Sequence, residues 1–140
     1  MRFEIEYPRT NTEVSELMKL FLLASAGAAG TLARYLLGGL VQRLYGGAFP
    51  WGTFVVNMTG TLLFGLVWSL AEDRLVISGE ARAVILVGFM GAFTTFSSFM
   101  FETGELLRDS QWALAFGNLA LQNITGILFL FIGLAIGRLI

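Results

Sequence analysis

Four apolar runs, at about residues 20–42, 51–71, 84–106 and 112–137, dominate this chain of 140 residues, and the connections between them are short. A helix rises 1.5 Å per residue, so about 20 apolar residues cross the roughly 30 Å hydrocarbon core of a bilayer. Each run has that length. Hydrocarbon offers no hydrogen bonds, and a helix satisfies its backbone within the segment. The expected fold is an all-α membrane protein with four transmembrane helices. Composition agrees: only 14% of residues are charged, against roughly 25% in a soluble domain.

Residues 1–19 are polar and mixed in sign and read as an N-terminal tail or short amphipathic helix, leaving 20–140 as a single four-helix domain. The tail does not resemble a cleaved signal peptide, in which a positive start is followed directly by a short apolar core. The chain has no Cys and no His. That excludes disulfides, thiolate and imidazole catalysis, and most zinc or copper sites. With no nucleophile–base pair, no enzyme is expected. A net charge of −1 provides no basic patch, so nucleic acid is not an expected partner.

Small residues recur along the spans: Ala24 to Gly30 in the first, Gly60 and Gly65 in the second, and Gly117, Gly126, Gly133 and Gly137 in the fourth. They let helix backbones approach closely where the hydrophobic effect does not drive association. Four short helices make a thin bundle, and a pathway is more easily built between subunits. Basic residues bias orientation weakly. Lys19, Arg74, Arg82 and Arg138 fall on one side and Arg43 and Arg108 on the other, with Arg2 and Arg9 too remote from the first span to count. The rule favours cytoplasmic termini, and so slight a bias is compatible with insertion in both orientations.

Polar groups inside the spans point towards function, because a charge at depth costs about 2.5–3.5 kcal/mol on insertion scales. Arg34 lies in the first span, Asn57 in the second, Glu102 near the end of the third, and Asn118, Gln122, Asn123 and Thr125 in the fourth. Arg34 has three roles open to it: reaching the interface, capping a helix, or anchoring a carboxylate. Asn57 offers an N–H donor without net charge, or interhelical glue. The third span holds the densest feature, GFMGAFTTFSSFMFE at 88–102. Its hydroxyls compete for backbone hydrogen bonds and Gly91 adds freedom, so this helix is expected to break near 91–95. Carbonyls freed at a break need protein, water or an ion. Phe96 and Phe99 share a face if helix resumes there. A ring edge carries positive charge and attracts a small anion, although a bundle core uses the same rings as filler.

This block resembles the signature of the Fluc/CrcB fluoride channels, approximately GFxGGxTTFSTF. GAAGTLARYLLG in the first span is similar to the family's Gly-rich stretch ending in Arg-Tyr, which matches its arginine to Arg34. WGTFVVNMTGTLLFG in the second is similar to (W/Y)GTxxVNxxGxFxxG, which matches its asparagine to Asn57. The likeness covers about residues 20–138. It implies an antiparallel, dual-topology homodimer in a prokaryotic cell (inner) membrane, with two pores near the subunit interface. In that arrangement Phe96 and Phe99 meet fluoride with their ring edges and Asn57 donates a hydrogen bond in the pore. Thr95 and Ser98 line a polar track with Glu102 at its end, and Arg34 is structural or vestibular. Gly91 and Thr94 supply backbone carbonyls, from both subunits, to a central structural sodium ion. Ala92 replaces the family's second Gly and Ser98 its Thr. In the fourth span the family's Tyr-xxx-Ser-xxx-Ser/Gly series corresponds to Asn118, Gln122 and Gly126. This makes Gln122 a further pore residue and Asn118 a vestibular or structural one.

The implied activity is passive, selective export of fluoride. The alternative is a small multidrug-resistance-type exporter, also four-helical and able to pair antiparallel. Proton-coupled export wants a carboxylate deep in the first span, where the only charge is Arg34.

Overall fold

The computed structural model describes residues 10–72 and 77–140. The helices are α1 (Thr10–Tyr45), α2 (Trp51–Glu72), α3 (Gly79–Ala83), α4 (Gly91–Phe93), α5 (Phe96–Arg108) and α6 (Trp112–Leu139), with a π-helical stretch, Val84–Met90, joining α3 to α4. Four segments are long and apolar enough to cross a membrane: Ser15–Tyr45, Trp51–Glu72, Gly79–Arg108 and Trp112–Leu139. The chain is thus a multi-pass, nearly all-helical membrane protein. α1 begins at Thr10, ahead of the residue-20 boundary drawn from hydropathy. Residues 1–9 of the expected tail, and Asp73 and Arg74 of the second connection, lie outside the described residues.

Local chemistry sets the connections. Gly46 and Gly47 take positive φ of 61° and 75°, a conformation glycine adopts at no steric cost. Gln42 braces this turn: its Nε2 donates to Phe49 O at 3.2 Å, and its Oε1 accepts from Gly52 N at 3.1 Å. One amide of the first turn of α2 is satisfied in this way. After α5, Ser110 has φ 59°, and Gln111 N donates to Leu106 O at 2.8 Å, a Schellman-type closure. Near the second connection, Arg82 pairs with Glu72 and lies over the Trp68 ring, while Lys19 of α1 reaches Glu80 of α3.

α2 packs most extensively on α6, and α1 covers the π stretch, α4 and α2. The buried core is Val56, Leu86, Met90 and Phe93, with Leu37 and Leu63 against it. Backbones meet closely at the α2–α6 contact: a Cβ on Gly133 would overlap the Leu62 carbonyl oxygen, and one on Gly65 that of Leu130. Gly117 has open space around it within the subunit. Because backbone cannot give way as a flexible side chain can, Gly133→Val is expected to cost about 1–3 kcal/mol, read as an earlier unfolding midpoint in detergent. Long apolar faces of α1 and α6 remain exposed, among them Leu32, Leu36, Leu40, Ile124 and Phe131.

Between α4 and α5 the backbone of two residues is extended. Thr94 has φ −78°, ψ 158° and Thr95 has φ −148°, ψ 111°. Thr95 then caps α5, its Oγ1 accepting from Ser98 N at 3.2 Å, the N-cap arrangement that threonine favours.

Candidate functional site

Asn57 sits in the second turn of α2, and its amide closes on the extended pair. Thr95 N donates to Asn57 Oδ1 at 2.9 Å, and Asn57 Nδ2 donates to Thr95 O at 3.2 Å. The same Nδ2 donates to Gln122 Oε1 on α6, also at 3.2 Å. One side chain therefore replaces the bonds Thr95 would make in a continuous helix and ties the second, third and fourth spans together. Thr61 Oγ1 donates to Asn57 O at 2.7 Å.

Two clefts meet at Thr95, which lines both. The smaller, about 430 Å³, also holds Asn57, Thr94, Phe96, Phe99 and Gln122. Here the Phe96 and Phe99 rings stand edge-to-face, centroids 6.0 Å apart at 73°. Phe99 is packed at 5% exposure, whereas Phe96 projects from the subunit at 73%. The larger cleft, about 650 Å³, holds Arg34, Gln42, Thr53, Ser98 and Glu102. Thr95 Oγ1 donates to Ser98 Oγ at 2.9 Å, continuing the hydroxyl chain into it. Thr53 Oγ1 donates to Glu102 Oε1 at 2.7 Å, while the buried Oε2 has no partner among the described residues. Arg34 shares this cleft with Glu102 but forms no salt bridge among the described residues.

Asn118 lines neither cleft. It is fully buried, its Nδ2 donating to Thr103 Oγ1 at 2.9 Å, and that hydroxyl donates to Phe99 O at 2.7 Å. The pair clasps α5 to α6 through the Phe99 carbonyl. Gly91 is exposed and lies outside both clefts. Its carbonyl and that of Thr94 share one property. The amides that a continuous helix would offer them, Thr95 N and Ser98 N, are donated to Asn57 Oδ1 and Thr95 Oγ1. Two backbone oxygens without their regular helical donors are hard ligands, the donor type that suits a hard cation.

Sequence reading missed Thr53, Gln42 and Thr103. Thr53, Asn57 and Thr61 stand four residues apart on α2, so their shared face was readable from spacing. Thr103 and Gln42 carry no comparable signal, since each matters only through a partner on another element or beyond a turn.

Comparison with known proteins gives a consistent answer. A family profile described as "CrcB-like protein, Camphor Resistance (CrcB)" matches residues 21–134. A protein of Nitrosococcus oceani named fluoride-specific ion channel FluC is 57% identical over 122 residues, 87% of this chain and 98% of the relative. One of the same name from Solidesulfovibrio magneticus is 58% identical over 124 residues, 89% of this chain and 99% of the relative. A third, from Nitratidesulfovibrio vulgaris, is 51% identical over 125 residues, 89% of this chain and 100% of the relative. The matched region runs from the first span into the fourth and contains Arg34, Asn57, the Thr94–Phe99 block and Gln122, and on that extent of agreement the chain belongs to the CrcB family.

Proposed function

We propose that this chain is a passive, fluoride-selective channel that carries the anion out of the cytoplasm, working as an antiparallel, dual-topology homodimer in the prokaryotic inner membrane. The observation that carries the reading is the joining of two clefts at Thr95, beside the edge-to-face Phe96–Phe99 pair and the Asn57 amide. The names of its relatives support the same ion. Fluoride is small and strongly hydrated, so a narrow route must replace its water with close donors and positive ring edges. Phe96 and Phe99 supply the edges. Asn57, Thr95, Ser98 and Gln122 supply the polar lining, and the larger cleft with Arg34 and Glu102 acts as an approach. Weak, multi-site binding lets ions leave again.

The third span acts as a broken helix whose extended residues do two jobs. Thr95 caps α5 and lines the route, and the break takes from the carbonyls of Gly91 and Thr94 their regular helical donors. In a dimer, those carbonyls from both subunits would hold a structural sodium ion. Such an ion supplies a fixed positive charge that raises anion occupancy nearby. An inside-negative potential drives export, at about 2.3 kcal/mol per charge per 100 mV, so no coupled ion is required.

The direct test is fluoride against chloride efflux from vesicles holding the purified chain. Fluoride release with chloride retained is expected, and retention of both overturns the proposal. A second test separates a channel from a proton-coupled exporter. Glu102→Gln keeps an acceptor for the Thr53 hydroxyl while removing the titratable group, so fluoride efflux is expected to stay within about threefold of the parent. An exporter cycling a proton on Glu102 would stop.

A further inference from the structure

Donor direction can be followed inward from two points on the first turn of α5. At the N-cap, the backbone N–H of Thr95 can only donate, so the atom of Asn57 facing it is Oδ1. Asn57 Nδ2 therefore faces Gln122, and the Gln122 atom receiving it is Oε1. Gln122 Nε2 is left over. One turn along, Phe99 O can only accept, so the Thr103 hydroxyl spends its single proton there. That hydroxyl can then only accept from Asn118, which must turn Nδ2 towards it. Asn118 Oδ1 is left over. Neither leftover atom has a partner among the described residues, and both are fully buried.

The two leftovers are complementary, one donor and one acceptor. Exchanging O and N in either amide would make them alike, and the fixed groups at both ends forbid that exchange. Asn118 and Gln122 stand four residues apart on α6. Side chains at that spacing share a face, with Cβ atoms about 5–6 Å apart, and amide pairs there hydrogen-bond. A buried donor and a buried acceptor kept apart are both costly, and side-chain torsions alone bring these two together. Neither atom has a water-sized space beside it, which favours direct contact.

We propose that Gln122 Nε2 donates to Asn118 Oδ1. This bond joins the two halves into one directed relay, from Thr95 N through Asn57, Gln122, Asn118 and Thr103 to Phe99 O. Both ends lie on α5, so the relay straps the turn that carries the Phe96 and Phe99 rings to α2 and α6. Asn118 lines neither cleft. It is a positioning residue, acting on the ring edges through Gln122 on one side and Thr103 on the other. The positioning role rests on the fluoride-channel reading above; the bond itself does not.

The test combines side-chain amide NMR on the full chain in detergent or nanodiscs with efflux from vesicles. The chain has only three glutamines, Gln42, Gln111 and Gln122, so the Gln122 pair is assigned by its loss in Gln122→Met. One hydrogen of that pair is expected to exchange slowly with deuterium. In Asn118→Leu it should exchange about fivefold faster or more, the equivalent of one ordinary hydrogen bond, with helix content unchanged. Asn118→Leu and Gln122→Met are each expected to slow fluoride efflux about fivefold or more. The double variant should be no slower than the slower single one, because both break the same link.

A Gln122 pair that ignores Asn118→Leu overturns the bond, and a magnetisation-transfer signal from a bound water to that pair overturns direct contact. Single effects that multiply, to about 25-fold in the double variant, mean independent sites and overturn the relay. Asn118→Leu conducting like the parent overturns the positioning role. In all of these the parent still conducts, so the channel reading stands. A parent that releases no fluoride, with the Gln122 pair still answering Asn118→Leu, overturns the channel reading and the positioning role and leaves the bond standing.

Discussion

Phe96→Ile is expected to stop fluoride release from vesicles while the chain still folds and purifies as the parent does. Phe96 is 73% exposed in the subunit, so an apolar side chain of similar bulk there opens no cavity in the core. What disappears is the ring and its positive edge. An ion–ring contact in a desolvated site is worth about 2 kcal/mol or more by analogy with cation–ring pairs, which is about 30-fold in rate or occupancy. Initial efflux measured with a fluoride electrode should fall at least that far. Efflux at the parent's rate would remove ring edges from the mechanism. Phe99 is a less clean target, because at 5% exposure it also packs the bundle. Its replacement would mix lost flux with lost stability.

Asn57→Leu should damage fold and flux together. Leucine is close in size, so little volume is lost, but three hydrogen bonds go at once: Thr95 N to Oδ1, and Nδ2 to Thr95 O and to Gln122 Oε1. Thr95 is buried, and an unsatisfied buried polar group costs about 1–3 kcal/mol. Leaving Thr95 N–H, Thr95 O and Gln122 Oε1 unpaired is expected to cost about 3 kcal/mol or more in total. This is a large part of an ordinary folding free energy. A clear fall in the unfolding midpoint in detergent, with fluoride efflux lost, is the expected result. An unchanged midpoint would mean that the extended pair at 94–95 holds its shape without Asn57.

These expectations separate what residues announce from what the fold arranges. Hydropathy placed the spans well because lipid leaves no alternative: 51–71 became Trp51–Glu72, and 112–137 became Trp112–Leu139. The first and third spans run past their sequence boundaries, to Ser15–Tyr45 and Gly79–Arg108. Polar residues at a helix end are tolerated once they leave hydrocarbon. Lys19 shows how, extending from α1 to Glu16 and Glu80. The polar positions were equally legible, since Asn57, Glu102 and Gln122 stand out against apolar surroundings. Their partners were not. Thr53 meets Glu102 across 49 residues of sequence, and Asn57 meets Gln122 across 65.

From sequence alone follow the number of membrane-spanning segments, the block of hydroxyls and rings on the third, the exclusion of imidazole and thiol chemistry, and the likeness to a channel family. Only the tertiary structure decided that Asn57 spends its donors on Thr95 and Gln122, that Asn118 bonds to Thr103, and that two clefts meet at one threonine. The reason is physical. A helix that is apolar on nearly every side carries little amphipathic pattern to say which face turns inward. Rotation and depth are set instead by close backbone contacts such as Gly133 on Leu62, and those contacts exist only once all the helices are packed.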